Sequence, residues 1–458
     1  MFARLVQKEL LSYLLDFRFI ALFAICALLS ALSVYVGTRN YVTRLQEYNA
    51  VSESNRRTAQ EWLQSNLTEF EWMGYGWNRR PEVLSPVVHG LSGVLGKEVT
   101  IKYDNPPQFV ASLFETDPIY ALFGVLDLAF IVKVVLSLTV LLFTYDAICG
   151  EKEGGTLRLY ASFPVPRSHL ALAKLVGATV AVLTPFLFAY LLAAAVLSLS
   201  SGAELLGEDW GRMAALMGMF VLYLAVFAAF GLWGSALTHR RMTAFLGLLG
   251  LWTVWLFVVP NLAVRAARGL TPVESTYDLE RQAGALRWEN RKERQAEIKT
   301  YWQRNRVENW NALPEVRRRE IMEGARKTQE RLDMAFYSRL KDLQTKRRND
   351  MRQEQRLAMA LSATSPMSAV TFVSMDLART GYIQQEQIED ALSAHLIYMS
   401  RVIRGQEDPA HFSWFTYQDR ETVGECLSRN AIHILNLTLL AIAGFAGAYV
   451  AILRYDVR

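Results

Sequence analysis

The segment Glu151–Lys174, EKEGGTLRLYASFPVPRSHLALAK, lies between two long apolar runs and has an unusual composition for a simple loop. It begins with acidic residues, which are followed by two glycines, a half-apolar stretch from Thr156 to Phe163, and two prolines. Glycine permits a tight turn, and proline ends a helix because it lacks a backbone N–H. The order therefore predicts a short helix between two breaks. We interpret it as a segment that meets a soluble partner at a membrane surface.

The apolar runs beside this segment belong to a set of six that are long enough to cross a bilayer. The 458 residues are 52% hydrophobic and 20% charged, which is too apolar for a typical soluble protein and too charged for a chain confined to the membrane. We therefore expect a mainly α-helical, polytopic membrane protein. Its six predicted transmembrane helices cover residues 19–37, 117–146, 169–200, 212–238, 242–264 and 430–454.

Three further regions complete the predicted organisation. Residues 1–18 predict an amphipathic helix in the membrane interface, because apolar side chains recur at helical spacing while Arg4 and Lys8 fall on the opposite face. The apolar run after it is longer than the core of a signal peptide, so we expect an uncleaved first span. The polar stretches 38–116 and 265–429 predict two extracytoplasmic regions, the second of them helical.

The second of these regions predicts a long helical hairpin. Two highly charged stretches, about 274–311 and 315–363, are separated by Pro314. Trp288 and Trp302 fall on one face of the first stretch. On the second stretch, Leu332, Phe336, Leu340 and Leu343 share a face, and we expect antiparallel pairing to bury both sets. The many arginines are balanced by nearly as many acidic residues, which favours a solvated helical surface over a nucleic-acid site.

Charges in the short loops predict the side of the membrane that each loop faces. Lys152 and Arg158 are among the basic residues between spans two and three, and Arg240 and Arg241 lie between spans four and five. The loop between spans three and four is acidic instead. Because lysine and arginine are enriched in short cytoplasmic loops, both termini and the loop 147–168 are predicted to be cytoplasmic.

A search for catalytic or metal-binding motifs finds no match. The candidate phosphate loop 90–98, GLSGVLGKE, has the wrong glycine spacing and carries Glu98 where a Mg²⁺-binding hydroxyl is needed. HExxH, paired CxxC and GxSxG motifs do not occur, and the six histidines lack ligand spacing. We therefore expect no catalytic residue, no metal site and no cofactor in this chain.

Two charged residues, Asp127 and Lys133, fall inside predicted span two. An ionised group in a span costs about 2.5–3.5 kcal/mol, so such residues face a protein interface or a wet cavity. Six positions correspond to about 240° around a helix, which makes the two poor partners for each other. Either one faces a substrate path and the other a neighbouring subunit, or both act locally. In the local case Asp127 is a hydrogen-bond acceptor near the outer interface, and Lys133 snorkels or pairs structurally.

This layout resembles the membrane subunit of type-2 ABC transporters, which combines an amphipathic N-terminal helix, six spans and a cytoplasmic re-entry after span two. The most specific similarity is an acidic start, then G-T-L, then a short helix that ends near S-x-P-V-x-R and a lysine. Here the matching residues are Glu151, Glu153, Gly155, Thr156, Leu157, Ser162, Pro164, Val165, Arg167 and Lys174. The insertion between spans five and six resembles that of a bacterial subset of the family.

The resemblance implies a permease subunit of the bacterial inner membrane that pairs with a second permease, as a homodimer or a homologous heterodimer. Separate ABC ATPase subunits would bind ATP and Mg²⁺, so this chain is expected not to be an enzyme. The loop would form the coupling helix that docks into an ATPase cleft; the alternative is a re-entrant loop packed only against this subunit. The implied coupling residues are Glu151, Glu153, Gly155, Thr156, Leu157, Leu159, Tyr160, Pro164 and Arg167.

Three functions fit these features. The first is an ATP-driven exporter whose outer regions cover the exit, select cargo or engage a periplasmic or outer-membrane partner. The second is an ABC-type mechanotransmission or assembly complex that acts on a periplasmic partner, which the large outer hairpin favours. The third is a membrane receptor whose outer domain senses a ligand and which needs no ATPase.

Overall fold

The computed structural model of the chain describes residues 2–65, 70, 73–102, 109–110, 126–156, 166–199, 205–306, 310, 313–403, 406–419 and 421–454. The predicted start of span two at residue 117 and residues 157–165 of the predicted coupling segment lie outside these described residues. Within them, six helices are long and apolar enough to cross a membrane, which confirms the predicted mainly α-helical, polytopic fold class. These helices are Phe19–Ser65, Leu128–Glu153, Ser168–Leu199, Gly207–Leu237, Arg241–Leu270 and Ala431–Leu453.

Two helices open the chain, α1 (Phe2–Leu14) and α2 (Phe17–Ser65). The first is amphipathic, as predicted, and buries Glu9 where it packs against the third spanning helix. The second is one continuous helix of 49 residues, apolar at its start and polar towards its end. The change from the first span to the polar region that follows is therefore a change of residue type without a break in the backbone.

The second span is built from several short pieces. Helix α3 (Leu128–Phe130) leads through a π-helical turn, Ile131–Leu136, into α4 (Ser137–Thr144). A turn at residues 145–148 then leads into α5 (Cys149–Glu153). A π turn widens a helix locally and is often found at functional sites.

The remaining helices are α6 (Arg167–Leu199), α7 (Gly207–Leu237), α8 (Arg241–Thr253), α9 (Val259–Leu270), α10 (Thr276–Arg304), α11 (Glu315–Ser362), α12 (Pro366–Leu377), α13 (Tyr382–Ile403), α14 (Val423–Arg429) and α15 (Ala431–Leu453). Helix α7 is central to the membrane bundle, because it contacts α4, α6, α8, α12 and α15. Glycines bring these helices close: a Cβ at Gly231 of α7 would lie 1.9 Å from Oγ1 of Thr144. Small residues at such crossings allow close backbone approach in a membrane.

Both polar regions outside the spans contribute to one hydrophobic core. Strands β1 (Tyr75–Asn78), β2 (Glu98–Ile101) and β3 (Phe109–Val110) form an antiparallel sheet in that order. One side of the sheet packs against the end of α2, against α13 and against the segment that follows α13. The buried cluster between them contains Phe70, Tyr75, Val99, Ile101, Ile388, Leu392, Met399, Phe412 and Phe415. We call the second half of α2, the three strands and residues 382–419 the composite domain. Parts of both predicted outer regions, within residues 38–110 and 382–419, therefore share one core.

A network of charged residues joins the composite domain to the membrane bundle. Arg212 of α7 is fully buried and donates to the carbonyls of Leu377 (3.2 Å) and Glu421 (2.6 Å). Nearby, Arg429 lies 2.6 Å from Oδ2 of Asp376. Buried charges are tolerated when they are paired and hydrogen-bonded, and removing one partner is strongly destabilising. This network therefore fixes the ends of spans four and six to the segments that lead into the composite domain.

Residues Leu262–Leu361 form a second compact unit, which contains the predicted hairpin. Helices α10 and α11 run antiparallel, as the hydroxyl of Tyr301 donates to Ile321 at 2.8 Å and Arg347 donates to Glu274 at 3.3 Å. The prediction that pairing buries the tryptophans is wrong. Trp288 is 60% exposed and Trp302 is 39% exposed, whereas Ala283 and Ile321 are buried. Of the apolar residues expected on the second helix, Leu340 is buried as predicted, and Leu332, Phe336 and Leu343 are half-buried.

A polar cluster inside the composite domain contains an acid with a shifted pKa. The guanidinium of Arg79 donates to Gln385 (3.0 Å) and to Gln384, whose amide donates to Glu82 (2.6 Å). Burial raises the pKa of the Glu82 carboxyl to about 7, against the opposing effect of the Arg79 charge. The folded chain thus binds a proton at Glu82 more tightly than the unfolded chain does.

We expect Glu82→Gln to gain stability relative to the wild type as the pH rises. A raised folded-state pKa means that the carboxyl destabilises the fold progressively from its unfolded pKa up to about 7. The difference in the free energy of unfolding should therefore grow by roughly 1–3 kcal/mol between pH 5 and pH 8. Denaturation of the detergent-solubilised chain at several pH values measures it. Glu98→Gln, at an exposed position on β2, is the control, and an equal trend in both variants would contradict the assignment.

Candidate functional site

The residues predicted to couple to an ATPase lie at the end of span two. Glu151 and Glu153 are in α5, and Gly155 and Thr156 follow it. Leu157, Leu159, Tyr160 and Pro164 lie outside the described residues. Arg167 is the first residue of α6, and its side chain is not among those described.

Lys174 of α6 is buried between two carboxylates from different helices. Its Nζ lies 2.7 Å from Oε1 of Glu151 in α5 and 3.4 Å from Oε2 of Glu9 in α1. Only 4% of its side chain is exposed, compared with 6% for Glu9 and 17% for Glu151. Lys8 lies 3.0 Å from the other oxygen of Glu9, so the charges of the group balance. We call Glu9, Glu151 and Lys174 the lysine clamp.

Polar contacts also join α5 to the end of span four. The hydroxyl of Ser235 accepts from the backbone N–H groups of Ile148 (2.9 Å) and Cys149 (3.0 Å). The ammonium of Lys152 donates to the carbonyls of Ala236 and Thr238. The last carbonyls of a helix lack intrahelical partners and carry partial negative charge, which makes a lysine there favourable. Span two therefore ends directly on the terminus of α7.

A further pair reaches span five at the surface. Glu153 lies 3.4 Å from Arg241 at the start of α8, and both side chains are about half exposed. Exposed pairs of this kind contribute between about 0 and 1 kcal/mol. Glu153 is therefore the acidic residue of α5 that is accessible to another molecule, whereas Glu151 faces inward to Lys174.

The two glycines after α5 have different conformations. Gly155 has a φ of +73°, in the left-handed region that favours glycine, whereas Gly154 has a φ of −81°. The hydroxyl of Thr156 donates back to the carbonyl of Glu151 at 3.4 Å. The turn predicted from this glycine pair therefore depends on Gly155.

Asp127 acts as a local hydrogen-bond acceptor, which is one of the two alternatives that the sequence leaves open. It precedes α3 and accepts from the backbone N–H groups of Phe130 (2.6 Å) and His89 (2.7 Å). A carboxylate that caps a helix start satisfies N–H groups that have no partner within the helix. Asp127 therefore ties the start of span two to the loop that carries His89.

Lys133 lies in the π turn of span two, where its backbone carbonyl joins three spans. The carbonyl accepts from the hydroxyls of Ser137 (2.6 Å) and Tyr223 (2.8 Å). The indole of Trp252 in α8 in turn donates to the Ser137 hydroxyl at 2.9 Å. Spans two, four and five are thus joined at this turn by hydrogen bonds, which we call the π-turn network.

Span five has a π turn of its own, Val254–Val258, directly before Pro260. A proline inside a helix lacks the N–H donor and its ring collides with the carbonyl four residues earlier. A widened turn is one way to accommodate that collision. Trp252, which belongs to the π-turn network, lies at the start of this widened region.

With this geometry in view, the comparison with known families is informative. A family model described as ABC-2 family transporter protein matches residues 3–387. The chain belongs to the ABC-2 transporter family. The resemblance read from the sequence is thereby confirmed, and the match extends from α1 into α13.

Two curated relatives of this ABC-2 protein are similar to parts of it. The probable ABC transporter permease protein NosY of Pseudomonas aeruginosa PAO1 is 37% identical over 135 residues, which are 28% of this chain and 48% of that protein. The protein of the same name in Stutzerimonas stutzeri is 31% identical over 132 residues, 29% and 48% of the two chains. The chain thus spans about half the length of the curated relatives it matches. These similarities support an integral membrane permease subunit, of a family that associates with ABC ATPases.

The sequence alone did not identify Glu9 and Ser235 as parts of this site of the permease. One feature of the sequence indicated the lysine clamp. Lys174 interrupts the apolar run of span three, and a cation in a span requires an acid nearby. Which acid it meets depends on the folded chain, because Glu9 is 165 residues away in sequence.

Substituting Lys174 with Met should strongly destabilise the permease. The change leaves Glu9 and Glu151 buried without their shared cation, and breaking a buried ion pair costs about 3–5 kcal/mol. Thermal unfolding of the detergent-solubilised chain measures the loss. Lys8→Met removes the same charge from a side chain that is 47% exposed, and should cost less than about 1 kcal/mol.

A double variant separates charge from packing. Adding Glu151→Gln to Lys174→Met removes one of the stranded carboxylates, so it should restore part of the lost stability. If Lys174→Met unfolds at the same temperature as Lys8→Met, the clamp does not stabilise the fold.

Proposed function

We propose that this chain is the non-catalytic membrane subunit of an ATP-driven ABC transporter, and that residues 147–168 receive the force of a separate ABC ATPase. The observation that carries the proposal is the anchoring of α5. Glu151 connects it to α1 and α6 through Lys174, Lys152 connects it to α7, and Glu153 connects it to α8. A turn that only joins two spans needs no contacts of this kind.

The contacts of α5 determine which helices would move when an ATPase pushes on residues 147–168. The lysine clamp is buried, so α5, α1 and α6 would move as one body. The bonds to Ser235 and to the last carbonyls of α7 would carry the motion to span four, at the centre of the bundle. In our proposal the widened turns of spans two and five are where these helices bend, and the π-turn network keeps their movements coupled.

The remaining parts of the proposal rest on the sequence and on the family. Short-loop charges support a cytoplasmic position for both termini and for α5. Together with the bacterial relatives, they support the inner membrane as the location. ATP and Mg²⁺ would bind to the ATPase subunits, and a second permease, identical or homologous, would complete the pathway. The proposed direction is export, towards the side of the composite domain.

A second candidate function is force transmission to a partner outside the membrane, without transport. The charged network around Arg212 favours it, because it ties span four to Asp419 of the composite domain and ties the starts of spans four and six to the segments that flank that domain. Movement of the bundle would then move that domain. A nucleotide-free structure of the complete complex distinguishes the two functions: a continuous cavity between the permeases supports export, and a sealed apolar interface supports transmission.

Leu157→Asp should abolish productive docking of the ATPase. An apolar residue at the centre of an interface contributes about 2 kcal/mol or more, so we expect a tenfold or greater loss of association, to roughly background level. Glu153→Ala should weaken association more mildly, since Glu153 is half exposed and already has a partner in Arg241. Copurification with the cognate ABC ATPase and its stimulated ATP hydrolysis are the measurements.

The matched control is Leu206→Asp. Leu206 is 66% exposed and precedes the N-terminus of α7, whereas α5 contacts the C-terminal end of that helix. This variant makes the same chemical change away from the proposed docking segment and should leave the association unchanged. Full association and stimulation in Leu157→Asp would show that the docking segment is misplaced, whereas an unaltered chain that neither binds nor stimulates the ATPase would favour a receptor that needs none.

A further inference from the structure

Two neighbouring cavities lie beside α2, where the helix changes from apolar to polar. The lower cavity, of about 230 Å³, is lined by Leu32, Val36, Tyr41 and His89 among others. The upper cavity, of about 280 Å³, lies between α2 and the strands of the composite domain. Arg44 and Ser85 line both cavities, so the two adjoin.

The lower cavity contains two polar atoms that have no hydrogen-bond partner among the described residues. These are the hydroxyl of Tyr41, a residue that is only 1% exposed, and Nε2 of His89. A buried polar atom without a partner destabilises the fold, and a bound molecule that hydrogen-bonds to it would recover that loss. Two such atoms at one cavity indicate a place for a polar group of a ligand.

The floor of the lower cavity is apolar and continuous with the outer face of span one. Leu32 and Val36 are 50% and 38% exposed, and Leu28, one turn before Leu32, is 71% exposed. Leu126 forms the opposite wall, at the start of span two. A molecule with its polar end at Tyr41 would therefore have room for an apolar chain along α2, at the level of the bilayer.

The upper cavity is lined by one more cation than acids, and the lower cavity is lined by Arg44 and by the acid Asp127. Four cations line the upper cavity, Arg44, Arg79, Arg80 and Lys97, against three acids, Glu47, Glu82 and Glu98. Burial, together with the charges of Arg44 and Lys97, lowers the pKa of His89 to about 4, so both cations act on the space around this ring. The neutral imidazole and the Tyr41 hydroxyl can donate to an anion there.

We propose that these cavities bind a phospholipid, with its phosphate between Arg44, Tyr41 and His89 and an acyl chain along Leu32 and Val36. Basic and hydroxyl donors match the phosphate oxygens, and the exposed apolar floor matches the chain. A free phosphate would use the donors but leave the apolar floor unused. This lipid site is distinct from the coupling segment, and it does not depend on the proposed ATPase or on the identity of any cargo.

The test uses the full-length chain in a neutral detergent and a short-chain phosphatidylglycerol, with native mass spectrometry to measure affinity. Arg44→Gln should weaken binding about tenfold or more, since it removes a charge-assisted contact. Arg39→Gln is the matched control, because Arg39 lies on the same helix, is exposed and lines neither cavity; it should change the affinity less than twofold. A second variant, Tyr41→Phe, is useful if Arg44→Gln folds poorly. It keeps the shape of the side chain and removes only the hydroxyl, so we expect the lipid affinity to fall about threefold.

Two competitors identify the part of the lipid that is recognised. Inorganic phosphate should displace the lipid only at far higher concentration, and a diacylglycerol with the same chains should bind at least tenfold more weakly. Equal affinities of Arg44→Gln and Arg39→Gln would overturn the proposal, as would equal competition by free phosphate or equal binding of diacylglycerol. Absence of any bound lipid would show that the cavities hold water only.

Discussion

The fold of this ABC-2 protein depends on the burial of one lysine between two acids. Lys174, Glu9 and Glu151 come from three helices, and each would be costly to bury alone. Their pairing holds the N-terminal helix, the end of span two and the start of span three together. Because α5 also caps span four through Lys152 and contacts span five through Glu153, it is joined to four other helices at this end of the bundle.

The opposite end of the bundle is also held together by buried ion pairs, with more residues taking part. Arg212 is fully buried, and its neighbours Asp376, Arg379, Asp419 and Arg429 form further ion pairs around it. These charges lie where spans four and six meet the composite domain. Between the two charged ends, spans two and five are interrupted by π turns. The turn of span two accepts from Tyr223 of span four, and Trp252 of span five donates to Ser137 beside that turn. The bundle therefore has two ends joined by buried charges and a middle in which the backbone deviates from regular helix.

Much of this could be read from the sequence, because it follows from local patterns. Six apolar runs identify the spans, the spacing in residues 1–18 identifies the amphipathic helix, and the charged stretch after Pro272 identifies the hairpin. Pairings between distant segments could not be read in this way. Helical spacing grouped Trp288 with Trp302 and also identified Leu340, yet the tryptophans are exposed and the hairpin buries Ala283, Ile321 and Leu340.

The sequence by itself therefore determined the helical class, the six spans found among the described residues, the resemblance to the ABC-2 family and the glycine turn after α5. The tertiary structure alone decided that Glu151 faces inward to Lys174 while Glu153 stays accessible, and that both polar regions share one core. The reason is the range of the interactions. Helix formation and membrane insertion depend on residues within a few turns, whereas the clamp joins side chains 165 residues apart, which meet only when the whole bundle has formed.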